Sequence, residues 1–293
     1  MKIAIASGKG GTGKTTISCA LAFAATGPVR LLDCDVEEPN SHFFIQPKIE
    51  QTETVFSLVP QVDPEKCTGC GECSRVCQFS AIASLGKKTL VFPELCHSCG
   101  ACARICPTGA IEETQKEIGL LEIGRHGEVE FVSGLMNVGH AMSPPVIRAV
   151  KKHALEEGLT LIDCPPGTSC PFVTAVKGCD IALLVTEPTP FGLHDLKLAV
   201  ETLRELGLPF AVAVNRANGE NNRISEYCSE ENIPLVLQIP EDRRVAEAYS
   251  RGQTLTTVLP ELRETLAALP EKLRALTNHS TETRKEREKL AAL

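Results

Sequence analysis

Apolar and polar positions along the chain alternate between two kinds of segment. Residues 2–7 form a short apolar run with the length of a buried strand, and residues 29–32, 159–162, 181–185 and 210–214 repeat it. Between them lie stretches with helical spacing, of which 17–25 and 193–206 are the clearest. Strands alternating with helices predict an α/β fold: a doubly wound, mostly parallel sheet covered on both faces, its ligand at the C-terminal ends of the strands. Farther along, Leu262, Leu266, Leu269, Leu273 and Leu276 share one helical face, and Pro270 within that stripe predicts a kink or a fresh helix start. Beyond Asn278 charges of both signs mix. That predicts a solvated tail over 278–293 rather than a membrane-targeting helix, whose polar face should be basic.

Composition narrows the classes. The 293 residues are 43% hydrophobic and 23% charged, the balance of a folded domain rather than a disordered or fibrous chain. A net charge of −7, with no Trp and two Tyr, argues against a nucleic-acid partner. No apolar run approaches the roughly 18 residues of a membrane span, so no integral membrane association is expected. Residues 1–6 read as a strand broken by glycines, not as a signal peptide, which leaves a cytoplasmic protein as the expectation.

Fourteen cysteines in such a chain are not a disulfide framework, because cytosolic thiols stay reduced. Cys67, Cys70, Cys73 and Cys77 are spaced C-x2-C-x2-C-x3-C, and Cys96, Cys99, Cys102 and Cys106 repeat the spacing. Zinc motifs usually come as separated C-x2-C pairs; this doubled run is the spacing of bacterial two-cluster ferredoxins. There the fourth cysteine of each run crosses to the other cluster. One [4Fe–4S] cluster should therefore take Cys67, Cys70, Cys73 and Cys106, and the other Cys96, Cys99, Cys102 and Cys77. Pro107 follows the last cysteine as that pattern expects, whereas Gln78 stands where a proline should follow Cys77. His97, between two ligands, is read as a surface imidazole. A small α+β bacterial-type ferredoxin domain is thus expected over 62–112, too short to build much core and held by its clusters. It would interrupt an ATPase domain formed by 1–61 and 113–277.

The interrupted frame carries its own chemistry. After the first strand come Gly8-Lys9-Gly10-Gly11-Thr12-Gly13-Lys14-Thr15-Thr16, which satisfy G-x-x-x-x-G-K-[ST] between a strand and a helix. The glycines let backbone N–H groups curl around phosphate oxygens, and the helix adds its positive end. Lys14 should reach the β- and γ-phosphates of ATP, with the Thr15 hydroxyl on Mg²⁺. Two further strands end in acids, Asp33-Cys34-Asp35 and Asp163-Cys164-Pro165-Pro166-Gly167, where a metal and attacking water would sit. One such Asp alone could be only a helix cap.

The extra lysine inside the loop, Lys9, together with these acids and Asn215-Arg216, resembles the MinD, ParA, Mrp and nitrogenase iron-protein superfamily of P-loop ATPases, here with an inserted two-cluster ferredoxin domain. The resemblance implies that Lys9 crosses a homodimer interface, formed on ATP binding, to the partner's nucleotide. It implies that Asp35 is the switch I acid orienting water and Asp163 the switch II acid supporting Mg²⁺ and sensing the γ-phosphate. Asn215 matches the adenine-contacting asparagine, with Pro240 and Asp242 as a second base-binding segment and Asn40 as a weaker switch I match. Cys170 resembles one ligand of the iron-protein's bridging cluster, but residues 134–145 offer no second cysteine, so such a cluster is not expected. Cys19, Cys34, Cys164, Cys179 and Cys228 lack ligand spacing and read as structural.

The expected function is ATP hydrolysis coupled to low-potential electron transfer through the two clusters to a protein redox partner. The insert leaves the ATPase shortly after 35–40, so a switch I rearrangement would pull on its tether. The alternatives are an iron–sulfur assembly or carrier ATPase, and a MinD-like regulatory ATPase whose clusters sense redox state.

Overall fold

The computed structural model describes residues 1–86, 88–219 and 223–291, with side chains described as far as residue 277. Its strands are β1 Lys2–Ala6, β2 Val29–Asp33, β3 Lys48–Val62, β4 Ile82–Leu85, β5 Lys88–Val91, β6 Ile111–His126, β7 Val129–Met136, β8 Leu159–Asp163, β9 Ile181–Thr186, β10 Phe210–Ala217 and β11 Leu235–Pro240. Nine of them form one sheet in the order β11-β10-β9-β1-β8-β2-β7-β6-β3, and β4 and β5 pair separately. From β11 to β7 the neighbours are parallel; β6 and β3 are antiparallel.

The central strands have apolar side chains pointing both ways because both faces are covered. On one face Ile3, Ile5 and Leu161 pack under helix Lys14–Ala24 and under Leu266, Leu269 and Leu273 of helix Leu262–Ala291. On the other, Ala4, Ile162 and Leu184 pack against helices Pro144–Lys151, Cys170–Val176 and Pro190–Glu205. The α/β expectation holds for this body. Of the kink or fresh helix start expected at Pro270, the fresh start does not occur, since one helix runs through it. Leu266, Leu269 and Leu273 are at most 1% exposed, and packing that stripe offsets the roughly 3 kcal/mol that an interior proline costs. The solvation expected of 278–293 falls outside the described side chains. Among the described residues no helix is long and apolar enough to cross a membrane.

The antiparallel edge carries the cysteines outward. β3 and β6 pair from Lys48↔Arg125 to Val62↔Ile111, but β6 meets β7 only from Gly119↔Met136 to His126↔Val129. Beyond that point the two strands form an arm about eight residues long, on the order of 26 Å at the strand rise. Between Val62 and Ile111 lie β4, β5 and the short helices Glu72–Val76 and Ala101–Ile105. They enclose a separate small core of Cys73, Ile82 and Ile111.

Candidate nucleotide site and cysteine module

The loop after β1 is held from two sides. Gly13, at φ 94°, opens helix Lys14–Ala24, and a Cβ there would stand 2.3 Å from Asn215 Nδ2. A side chain is excluded by both the backbone conformation and the space. Lys14 is buried and its Nζ donates to Ser7 Oγ at 3.0 Å, while Ser7 Oγ donates to the Lys9 carbonyl at 2.5 Å. Thr12 is buried with its Oγ1 unpartnered among the described residues. The first turn of the helix then presents Thr15 and Thr16.

Three acids converge at the ends of β2 and β8. Asp33 and Asp163 are register partners on parallel neighbours, so their carboxyls emerge side by side. Ser41 ties them together: its N–H donates to Asp33 Oδ2 at 3.0 Å and its hydroxyl to Asp163 Oδ2 at 3.2 Å. Ser18 Oγ donates to Asp163 Oδ1 at 3.2 Å, and the Asp35 N–H donates to Asp33 Oδ1 at 3.2 Å. Burial pushes both Asp33 and Asp163 above the carboxylate range; Lys14, Thr15, Ser18 and Ser41 pull Asp163 partly back. Asp35 is pushed up to about 7, first by burial and then by the Asp163 charge. A cluster of largely buried acids beside a buried lysine is suited to taking up a divalent cation.

Other expected site residues are already engaged within the chain. Lys9 forms an ion pair with Glu187, which also accepts from Arg216 Nη1 at 3.2 Å. Asn215 is 8% exposed and its Nδ2 donates to the Thr12 carbonyl at 2.9 Å, so it braces the loop from behind. Pro240 ends β11 opposite Ala217, next to the Asn215 segment. Asp242 caps helix Arg243–Tyr249 and is clasped by Arg244. Asn40 bonds back to the Glu38 carbonyl at 2.9 Å and stays in its own turn.

The cysteines of the two runs mix across the module. Cys67, Cys70, Cys73 and Cys106 line one cavity, together with Val62, Thr89 and Ile111. Cys77, Cys96, Cys99 and Cys102 line another, together with Pro60, Phe79, His97 and Glu113. Both runs have the same backbone pattern. Left-handed residues stand two after the first cysteine (Gly69, Ser98), one after the second (Gly71, Gly100) and three after the fourth (Ser80, Gly109). Ser98 N–H donates to Cys96 Sγ at 3.4 Å and Ala110 N–H to Cys106 Sγ at 3.3 Å. Burial raises the Cys106 thiol, but bonds from Thr108, Ala110 and Gly109 outweigh it and leave it below the usual value. His97 is not free in solvent: it stacks on Phe79 with ring centroids 3.4 Å apart. Among the described residues no three His, Cys, Asp or Glu side chains converge closely enough to hold a single metal ion. Cys170 is exposed, whereas Cys19, Cys34, Cys164, Cys179 and Cys228 are buried.

Comparison with known proteins settles the frame. Residues 3–255 match the CobQ/CobB/MinD/ParA nucleotide binding domain. The chain belongs to this family. It is 36% identical over 246 residues to the uncharacterized protein MJ0578 of Methanocaldococcus jannaschii, covering 82% of this chain and 87% of that one. It is 27% identical over 139 residues to a cytosolic Fe-S cluster assembly factor, the Nubp1 homolog of Drosophila grimshawi, covering 39% of this chain and 45% of that one. The fold matches the septum site-determining protein MinD complexed with Mg-ADP from Pyrococcus horikoshii OT3, with a TM-score of 0.55, 20% identity and coverage of 94% and 98%.

Within this MinD/ParA frame, sequence reading placed Asp33 among the strand-end acids without giving it a role of its own, and missed Ser18 and Ser41. The signal for Asp33 was its place at the end of a mostly apolar strand, where the structure makes it the register partner of Asp163. Ser41 carried none, because its position between two carboxyls depends on how the chain folds back after β2.

Proposed function

We propose that this MinD/ParA-family chain binds and hydrolyses ATP and couples its nucleotide cycle to low-potential electron transfer through two [4Fe–4S] clusters. One observation carries the reading: a P-loop with a buried lysine and converging acids shares a chain with two cavities, each lined by four cysteines, the fourth from the other run. A four-iron cluster places each thiolate on a different iron, so its ligands ring a cavity rather than converge on one ion. The N–H donors to Cys96 and Cys106, and the left-handed residues repeated in both runs, suit thiolates held in that way. Cys67, Cys70, Cys73 and Cys106 would hold one cluster, and Cys77, Cys96, Cys99 and Cys102 the other. When bound, such clusters supply one-electron transfer, their potentials set in part by hydrogen bonds to sulfur and by solvent exposure.

Each residue of the nucleotide site then has a task. Lys14 leaves Ser7 for the β- and γ-phosphates, and the backbone of residues 8–16 wraps them. Thr15 and Asp163 serve Mg²⁺, and Asp35 orients the attacking water. Lys9 leaves Glu187 to reach the partner's nucleotide in an ATP-bound homodimer, while Arg216 stays on the vacated carboxylate. The redox partner is a protein, and the setting is the cytoplasm.

The test is anaerobic purification with iron, sulfide and zinc analysis beside an ATPase assay. The reading expects about eight iron and eight sulfide per chain. Iron near four per chain, stoichiometric zinc, or no nucleotide-dependent turnover would overturn it. The Nubp1 similarity favours a second reading, delivery of a cluster rather than an electron. Transfer of iron and sulfide to an apo-acceptor at the rate of ATP turnover would select that one.

A further inference from the structure

Along the chain, the route from the nucleotide site to the cysteines is long: after Asn40 it passes helix His42–Ile45 and the whole of β3. A shorter route runs sideways. The Val36 carbonyl, next to Asp35, accepts from Met136 N–H at 2.8 Å, where β7 ends. The following Asn137 N–H donates to the Ile118 carbonyl on the arm at 2.9 Å. Ala141 N–H donates to the Glu94 carbonyl at 3.3 Å, and the Glu94 carboxylate is paired with Lys116 on the arm. Glu94 sits in the turn Pro93–Leu95, which delivers Cys96 directly.

The two cysteine cavities are not equivalent with respect to this route. The cavity of Cys77, Cys96, Cys99 and Cys102 is lined by Pro60 and Glu113, a pair on the arm. The other is lined by Val62 and Ile111, the pair two residues farther toward the tip. The first set is therefore proximal to the ATPase body and the second distal. We propose that residues 136–141 are a transmission element, joining the segment after Asp35 to the proximal cysteine set and leaving the distal set aside. This rests on the nucleotide-and-cluster reading above and deepens it. Any rearrangement of 35–41 around a nucleotide must carry Met136 with it, and so reach Glu94, or break its bond to Val36 and free 136–141 from the switch segment. Coupling of this kind needs a contact that differs between the two states, and that bond joins the switch segment to the route.

Hydrogen exchange read by mass spectrometry tests it on the anaerobically purified full chain, with Mg²⁺ and a non-hydrolysable ATP analogue or without nucleotide. Exchange in peptides covering 93–102 should change by a factor on the order of 5–150, the usual span of site–site coupling. Peptides covering 64–74 should change by less than about twofold, within the local variation expected of a region outside the coupled unit. Ala141→Pro removes the N–H that Glu94 accepts, and Lys116→Ala removes the pairing with its carboxylate without touching the backbone. Both should bind the analogue as tightly as wild type and lose the response at 93–102. Equal responses in both sets of peptides, or a full response in both variants, would overturn the proposal. Calorimetry and iron analysis on the same samples separate this from failure of the underlying reading. Absent nucleotide binding or absent iron would remove that reading and this inference with it.

Discussion

Asn215 offers a sharp test, because its position in the structure and its expected role differ. The resemblance assigns it to the adenine, yet its Nδ2 supports the Thr12 carbonyl at 2.9 Å and leaves no room for a Cβ at Gly13. In Asn215→Ala the Thr12 carbonyl, in a residue 2% exposed, loses this donor. Leaving a buried acceptor unsatisfied costs about 1–3 kcal/mol. At roughly 2–4 °C per kcal/mol for a chain of this size, the nucleotide-free protein should melt about 2–12 °C lower by circular dichroism. The neighbouring glycine supplies a second arm. Gly13→Ala should be severely destabilising in wild type but less so combined with Asn215→Ala, because the 2.3 Å clash is then gone while the cost of φ 94° remains. An unchanged melting temperature in Asn215→Ala, with loss of discrimination between ATP and GTP, would refute the bracing role and restore the base contact.

Three further outcomes follow from the same geometry. Asp35 is held near 7 by burial and by Asp163, above its unfolded value, so the folded nucleotide-free protein holds the extra proton between about pH 4 and 7. That contribution is complete below the unfolded pKa and lost as pH rises through 7; denaturation at pH 8.5 should show stability lower than at pH 5 by up to about 3 kcal/mol for this group, and Asp35→Asn should flatten the profile. Glu187→Gln should lower the ATP concentration needed for dimerisation and Lys9→Ala should abolish it in sedimentation; a Lys9→Ala protein that dimerises like wild type would count against a role across the interface. Cys73→Ser and Cys106→Ser should damage one spectroscopic cluster and Cys77→Ser the other, whereas damage by Cys73→Ser and Cys77→Ser to the same cluster would remove the crossover.

What the chain disclosed in advance was governed by spacing. The strand–loop–helix run at 2–25 and the two cysteine runs are local patterns, and the structure places their residues together around a loop and two cavities. The arm was not legible. Residues 48–62 and 111–126 pair across the whole module, and neither strand alternates cleanly, because the outer halves carry Phe56 and Leu58 in the open among glutamates. The ion pair of Lys9 with Glu187 was hidden for a similar reason, since a contact across 178 residues leaves no local trace. Pro270 shows the opposite case: of the kink or fresh start it predicted, the fresh start gives way to a helix whose leucines pack on the sheet.

The central claim is that nucleotide and cluster states share one free energy. If so, nucleotide must shift the cluster potential by the same coupling with which redox state shifts nucleotide affinity. A coupling of about 1–3 kcal/mol corresponds to roughly 40–130 mV for a one-electron couple. Potentiometric titration of the anaerobic protein without nucleotide, with ADP and with a non-hydrolysable ATP analogue measures it directly, with Lys14→Ala as the control that should show no shift. The account predicts a displaced potential with the analogue in wild type alone. Identical potentials in all three states, with ATP bound equally by oxidised and reduced protein, would contradict it.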